Sequence, residues 1–231
     1  MCGVMPGRRP HDDLVYADVV GLLRDRRPQQ AVSGDAGGGA VTEETLWRSA
    51  TALLPPDDAR AALECRGIGE QEAALRLIVA GFLGPGAALG ETLRAELSVL
   101  TEAWGIREEL AADLARCAGG PEAEPSTLRL IGTADAVALP RPAAGGGCAP
   151  EEPVVVPWIT CLCCTRILGR AHRREWWGDL SFLAEHYVLH TPGDPARTRV
   201  FGCDEVFEAL GELRRPPRQS GGDTVRLTPS P

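Results

Sequence analysis

The chain of 231 residues is 44% apolar and carries a net charge of −8, a profile typical of a globular protein with one or two domains. It contains neither a long uninterrupted apolar run nor an apolar leader, which predicts a cytoplasmic protein without a membrane partner. All twenty-four basic residues are arginine, and asparagine is absent as well. This composition indicates a GC-rich bacterial genome, so the arginine content by itself does not predict phosphate binding.

Residues 1–41 predict a flexible segment that contains one short helix. The helix is expected at DDLVYADVVGLLRDRR, where leucines and valines recur at helical spacing, and PQQAVSGDAGGGA after it is typical of a linker. A second interpretation is that this stretch comes from an over-extended start. In that case the native protein begins at VTEETLW, since a segment with so small a core is rarely stable alone.

Five helical patterns follow, and together they predict an acidic helical bundle over residues 42–120. The first helix is expected to begin after Thr42 as its N-cap and to end at Pro55 and Pro56. The other four patterns are DDARAALECRG, EQEAALRLIVAGFLG, ETLRAELSVLTEAWG and IREELAADLARCAGG. Short connections predict antiparallel neighbours. Residues 42–124 hold fifteen acids and seven arginines, so this segment accounts for the whole net charge of −8.

Residues 125–215 change period and predict a small α+β module that contains cysteines. TLRLIGTADAVAL and VVVPWIT are typical of strands, and EHYVLH and RTRVFG flank turn residues as in a hairpin. DEVFEALGELRR predicts a last helix capped by Asp204, and residues 216–231 predict a disordered tail. The predicted fold class is therefore α+β, with an N-terminal all-helical bundle followed by this module.

The stretch ITCLCCTRILGRAHRREWWG, residues 159–178, is dense in metal-ligating and charged side chains. Cys161 and Cys164 have the C-x-x-C spacing with which one turn can aim two thiolates at a zinc ion. On a strand, however, His186 and His190 would lie ~13 Å apart and could not share one ion. The ligands predicted for a bound zinc are Cys161, Cys164, His186 and Cys203, with His172 and His190 as alternatives.

We favour a structural role for this cysteine cluster, as the sulfur-rich end of a strand. The predicted cofactor content is therefore none, with zinc as the alternative. The aromatic side chains expected to form the core without a metal are Trp158, Trp176, Phe182, Tyr187 and Phe201. Metal should then be dispensable for folding.

Two further functions of the same stretch can be weighed from its residues. No glycine-rich nucleophile turn, phosphate loop or paired-carboxylate motif occurs, so no catalytic residue and no enzyme activity are predicted. A nucleic-acid surface would use Arg166, Arg170, Arg173 and Arg174 beside Trp176 and Trp177. This alternative is disfavoured, because adjacent tryptophans on an extended chain point opposite ways and residues 125–231 are electrically balanced.

Residues 67–106 resemble the small helical immunity proteins encoded beside bacterial polymorphic toxins, the MafI-like group. The shared pattern is a Gly-Glu before a helix with an Ala-Leu pair, then a break and a second helix that ends near a large apolar residue. The matching positions are Gly69, Glu70, Ala74, Leu75, Leu83, Leu93, Leu97, Leu100 and Trp104. The resemblance implies an inhibitor that works by binding a toxin and has no catalytic residues.

The localised acidity supports binding to a basic partner, since complementary charge speeds association. The predicted partner is a protein, for instance a basic toxin domain. The predicted partner-binding residues are Glu70, Glu72, Glu102, Glu108 and Glu109. In the alternative interpretation, the C-terminal half is a zinc-stabilised module with a nucleic-acid-binding or regulatory function.

Overall fold

The computed structural model describes residues 41–84, 87–117, 119, 126–131, 153–191, 194 and 197–215. In these ranges the chain forms six helices and a five-stranded antiparallel sheet, which confirms the predicted α+β class. The helix predicted near the N-terminus, the linker after it and the tail 216–231 lie outside the described residues.

Five helices form the first half of the described chain, and all five were predicted. They are α1 (Glu43–Ala52), α2 (Pro56–Gly67), α3 (Gln71–Leu83), α4 (Glu91–Ala103) and α5 (Arg107–Arg116). The side chain of Thr42 accepts a hydrogen bond from the Thr45 amide at 3.2 Å, and the Thr45 hydroxyl accepts one from the Thr42 amide at 3.1 Å. This reciprocal capping confirms the predicted start of α1.

The second half forms the sheet and a last helix. The strands are β1 (Leu128–Leu130), β2 (Val154–Cys161), β3 (Ile167–His172), β4 (His186–His190) and β5 (Arg199–Gly202), and the helix is α6 (Val206–Arg214). Neighbouring strands pair antiparallel in chain order, and β4 and β5 form the predicted hairpin. The predicted cap Asp204 was wrong. Glu205 holds the N-cap position without a side-chain cap, and its carboxylate accepts a hydrogen bond from the Gly202 amide at 2.6 Å.

β3 is the strand that the sequence pattern did not predict. Its sequence, ILGRAH, lacks a clear apolar alternation, since Arg170 and His172 share a face with Leu168. Leu168 lies opposite Ile159 on one side and Leu189 on the other. All three of these apolar side chains are fully or almost fully buried, so Arg170 and His172 project from the core side of the sheet.

Helices cover the core side of this sheet. α6 packs against β3, β4 and β5, while α4 contacts both β1 and α6. The opposite side of the sheet carries a separate small apolar cluster formed by Val155, Ala171, Val188 and Val200. The two faces of β3 therefore differ, and only the helical side carries buried charge.

One hydrophobic core crosses the boundary predicted between residues 120 and 125. It runs from Trp47 and Leu97 in the helical segment to Trp158, Leu168 and Leu210 in the second half. In the structure both segments contribute to one core. The division into a bundle (42–120) and a module (125–215) stays a prediction. Of the five aromatic residues predicted to form this core, three are buried: Trp158, Tyr187 and Phe201. Trp176 and Phe182 are exposed, so their assignment to the core was wrong.

Candidate functional site

A buried ion-pair network joins the helices to the sheet at Arg170. The Arg170 Nε donates to Glu102 Oε1 at 3.2 Å, and its Nη2 donates to Glu108 Oε1 at 2.7 Å. The side chains of Arg170 and Glu102 are only 5% and 3% exposed. Because Glu102 lies on α4 and Glu108 on α5, this single guanidinium holds two helices against β3.

Aromatic side chains complete the network. The Trp158 indole donates to Ser98 Oγ at 3.0 Å, and the Tyr187 hydroxyl donates to Glu102 Oε1 at 3.3 Å. The guanidinium groups of Arg107 and Arg170 lie 5.5 and 5.7 Å from the centre of the Trp158 ring. Buried polar groups of this kind are stabilising when they have partners, and here the paired groups come from two helices and three strands.

Burial and pairing act in opposite directions on these carboxyl groups. Burial raises the pKa of Glu102, although the Arg170 and Arg107 charges oppose it. For the more exposed Glu108, burial also raises the pKa, but the same two arginines outweigh it and the net pKa is lowered. Burial lowers the pKa of His172, whose Nδ1 lies 2.8 Å from the Ser181 carbonyl oxygen. The arrangement places charged groups in the core and fastens α4 and α5 to β3.

Cys161 ends β2, and Cys164 lies three residues later in the turn that leads to β3. Arg166 Nε donates to Cys164 Sγ at 3.1 Å. The turn that joins β2 to β3 is closed by a hydrogen bond of 3.0 Å from the Thr165 amide to the Cys161 carbonyl. Thr165 adopts the left-handed conformation there, with φ of 57°, which is uncommon for a β-branched residue.

The two cysteines differ in their surroundings. Burial and the hydrogen bond with Cys164 raise the pKa of Cys161. Burial also raises the pKa of Cys164, but the hydrogen bonds with Arg166 outweigh it and the net pKa is lowered. Cys164 is therefore the readier of the two to ionise.

The four predicted zinc ligands are not brought together. Cys161 and Cys164 lie at the end of the sheet where β3 begins, whereas His186 lies opposite Ala171 and Gly202 near the other end, with Cys203 next in the chain. Adjacent residues on a strand are ~3.3 Å apart, so the length of β3 separates the two pairs. Within the described ranges, no group of three or more His, Cys, Asp or Glu side chains is arranged to hold a metal ion.

The predicted acidic binding residues have diverse environments. Glu102 is buried and cannot present its carboxylate to a partner, and Glu108 is held by Arg170. Glu109 forms an ion pair with Arg76 at 2.7 Å, and Glu72 lies 3.6 Å from the same arginine. Glu70 and Glu72 are both exposed. Only the acids outside the buried network could therefore contribute to an acidic docking surface.

The most exposed apolar group of the described chain lies between β3 and β4. It comprises Trp176 and Trp177, which are 90% and 57% exposed, and we call it the aromatic tip; Phe182 and Leu183, which are 61% and 54% exposed, follow in the same connection. The two indoles meet edge to face with their centres 5.4 Å apart. Sequence reasoning missed this tip, although the glycine that follows Trp177 indicates a turn: Gly178 has a φ of +102°.

Hydrogen bonds brace the aromatic tip from behind. The Gly178 amide donates to the Glu175 carbonyl at 2.9 Å, and Arg174 Nη1 donates to the Gly178 carbonyl at 2.6 Å. Arg173 lies 3.1 Å from Glu175 and 3.3 Å from Glu185. These two arginines hold the turn in shape, while Arg166 and Arg170 are buried. The four arginines therefore do not form the common surface that a nucleic-acid site would require.

An open groove of about 500 Å³ lies on the helical half, with Glu43, Glu44, Arg66 and Trp104 among its lining residues. Its polar groups pair with one another or with the core. Glu43 Oε1 accepts hydrogen bonds from Trp104 Nε1 at 3.0 Å and from the buried Trp47 Nε1 at 2.9 Å. Glu44 forms an ion pair with Arg66, and this contact lowers the pKa of Glu44. The groove is therefore a weaker candidate for a binding site than the tip.

Comparison with protein-family models, curated proteins and solved structures finds no match to this chain. The resemblance to immunity proteins over residues 67–106 therefore stays a prediction. None of the helices in the described ranges combines the length and the apolar character needed to cross a bilayer. The functional evidence is therefore the geometry of the aromatic tip, of the ion-pair network at Arg170 and of the turn that carries Cys161 and Cys164.

Proposed function

We propose that this protein acts by binding another protein, with the aromatic tip as the centre of the interface, and that this binding uses no catalytic residue. The observation that carries the proposal is the 90% exposure of Trp176 beside the half-exposed Trp177. Contiguous exposed apolar patches mark interaction sites in soluble proteins, and tryptophan is enriched among the residues that dominate binding energy.

The bracing of the tip supports this role. Binding normally costs conformational entropy when loops and side chains become ordered. Here the edge-to-face contact of Trp176 with Trp177 and the hydrogen bonds around Gly178 already order the turn. An aromatic pair held in one arrangement can enter a pocket with little further ordering.

The charges around the tip favour a partner that is apolar at its centre and basic at its rim. Residues 173–185 contain three acids and two arginines, and residues 42–124 hold the net charge of −8. Such a protein would associate fastest with a basic surface, as on a nuclease domain. This chemistry fits an inhibitor of a toxin, the function that the resemblance over residues 67–106 implies.

Calorimetric titration of the full chain against the purified products of the two flanking genes tests the proposal. We expect one of them to bind, and W176A/W177A to weaken the affinity about 30-fold, which corresponds to ~2 kcal/mol for a central aromatic residue. L162A is the matched control, because Leu162 is 44% exposed at the opposite end of β3. Failure of both gene products to bind, or equal losses in L162A and W176A/W177A, would overturn the proposal.

A further inference from the structure

The turn between β2 and β3 brings together two thiols and a buried cation. Cys161 is buried at the end of β2, and Cys164 is partly exposed three residues later. Neither thiol is part of a disulfide. The Thr165 amide closes the turn on the Cys161 carbonyl at 3.0 Å, which keeps the two residues near each other.

The burial of Arg166 is the second observation that points to this turn. Arg166 is only 8% exposed, although it carries a full charge. Its hydrogen bonds to described residues go to Cys164 Sγ and to the carbonyls of Leu213 and Arg215 at the end of α6. A buried cation is costly unless an anion or several dipoles face it. Among these partners only Cys164 can become an anion, at 3.1 Å from the Arg166 Nε.

We propose that Cys161 and Cys164 form a thiol–disulfide exchange site that reacts with a low-molecular-weight disulfide and closes to an intramolecular disulfide. Cys164 is the attacking residue, because its sulfur is partly exposed and faces Arg166. Cys161 is the resolving residue, because it is the buried thiol of the same closed turn. The proposed protein-binding function does not require this site, so the two can be tested separately.

The exchange has two steps, and the small disulfide is the oxidant. The Cys164 thiolate attacks one sulfur of that disulfide, so the sulfur–sulfur bond breaks, one thiolate leaves and a mixed disulfide forms. The Cys161 sulfur then attacks Cys164 Sγ and expels the second small thiolate, which takes up the proton that Cys161 loses. Two electrons pass from the dithiol to the small disulfide, which ends as two thiols.

Peptide mapping by mass spectrometry after exposure to oxidised glutathione tests the site. The full chain is first reduced in the presence of EDTA, then treated with the disulfide and quenched with acid. We expect a Cys161–Cys164 disulfide to form. The C161S variant should stop at a glutathione adduct on Cys164, because the resolving thiol is gone.

C163S is the matched control, since Cys163 is an exposed thiol in the same turn and should not be needed. R166Q should slow adduct formation on Cys164 about tenfold, and R166K should retain more of the rate, because a cation favours the thiolate. The C161S result stands alone if R166Q does not fold. Adducts mainly on Cys163, with Cys161 and Cys164 left reduced, would overturn the proposal.

Discussion

Arg170 and Trp176 stand six residues apart in the chain, yet each has the environment expected of the other. The charged side chain of Arg170 is 5% exposed in the core, while the indole residue Trp176 is 90% exposed at the end of a hairpin. The buried charge is explained within the molecule, because Glu102 and Glu108 neutralise it. The exposed indole has no comparable internal explanation in the described chain, and the proposed explanation is a partner.

This contrast separates residues that hold the fold from residues available for binding. Arg170, Glu102 and Trp158 fasten α4 and α5 to the sheet, so changes there should unfold the protein. Trp176 and Trp177 contact each other and are 90% and 57% exposed, so changes there should leave folding intact.

Replacing the buried tryptophan should have the largest effect on stability. We expect W158A to lower the free energy of unfolding by ~3–5 kcal/mol, because a large cavity opens in the core and Ser98 loses its donor. The same substitution at Trp176 should change stability by no more than ~0.5 kcal/mol. Urea unfolding followed by circular dichroism measures both, and a comparable loss in W176A would show that the tip supports the fold.

Removing the buried cation should be nearly as damaging. We expect R170M to lose ~3–5 kcal/mol at neutral pH, because the buried Glu102 carboxylate loses its ion-pair partner. The double variant R170M/E102M should recover most of that loss, since the buried carboxylate that lost its ion-pair partner is removed as well. Denaturant unfolding of the three proteins tests this, and a double variant as unstable as R170M would contradict the ion-pair account.

The loss in R170M should also depend on pH. Burial raises the pKa of Glu102, and without Arg170 less opposes that shift. A carboxyl group whose pKa is raised in the native state binds its proton more tightly there than in the unfolded chain. The destabilising contribution of the ionised Glu102 to the free energy of unfolding therefore disappears as the pH falls through the raised pKa and grows as the pH rises. We expect the stability gap between R170M and wild type to be smaller at about pH 5 than at about pH 7. An equal stability difference between R170M and wild type at the two pH values, measured by unfolding, would count against this role of Glu102.

The smallest effect on folding should come from the cap of α1. T42A removes the hydroxyl that accepts the Thr45 amide and should cost ~1 kcal/mol. T42S keeps an acceptor and should be near wild type. Thermal melting of the two variants distinguishes a cap from simple loss of side-chain volume, because in the latter case both would melt early.

The helices could be predicted because their signals are local. Thr42 caps α1 from the adjacent position, Pro56 begins α2, and Gly84 follows the last turn of α3. Each of these signals acts within one turn of the helix that it bounds. Apolar spacing within each segment then indicates which face is buried.

β3 was not predicted, and the ion-pair network, the cysteine turn and the aromatic tip were predicted only in part. These features depend on residues that are distant in the chain. Arg170 is acceptable on the core side only because Glu102, 68 positions away in the chain, meets it there. The position of Cys161 and Cys164 at one turn follows from their spacing, whereas the separation of His186 from both depends on strand direction. Tryptophan is usually buried, so the exposure of Trp176 could be recognised only from the turn at Gly178.

Hydrogen exchange of the complex with its protein partner tests the central claim most directly. That claim is that the aromatic tip, rather than the acidic helical surface around Glu70, Glu72 and Glu109, forms the interface. The account predicts slower exchange on binding for backbone amides of residues 174–183, with little change in α3 and α5. Protection confined to α3 and α5, with the tip exchanging as in the free protein, would contradict it.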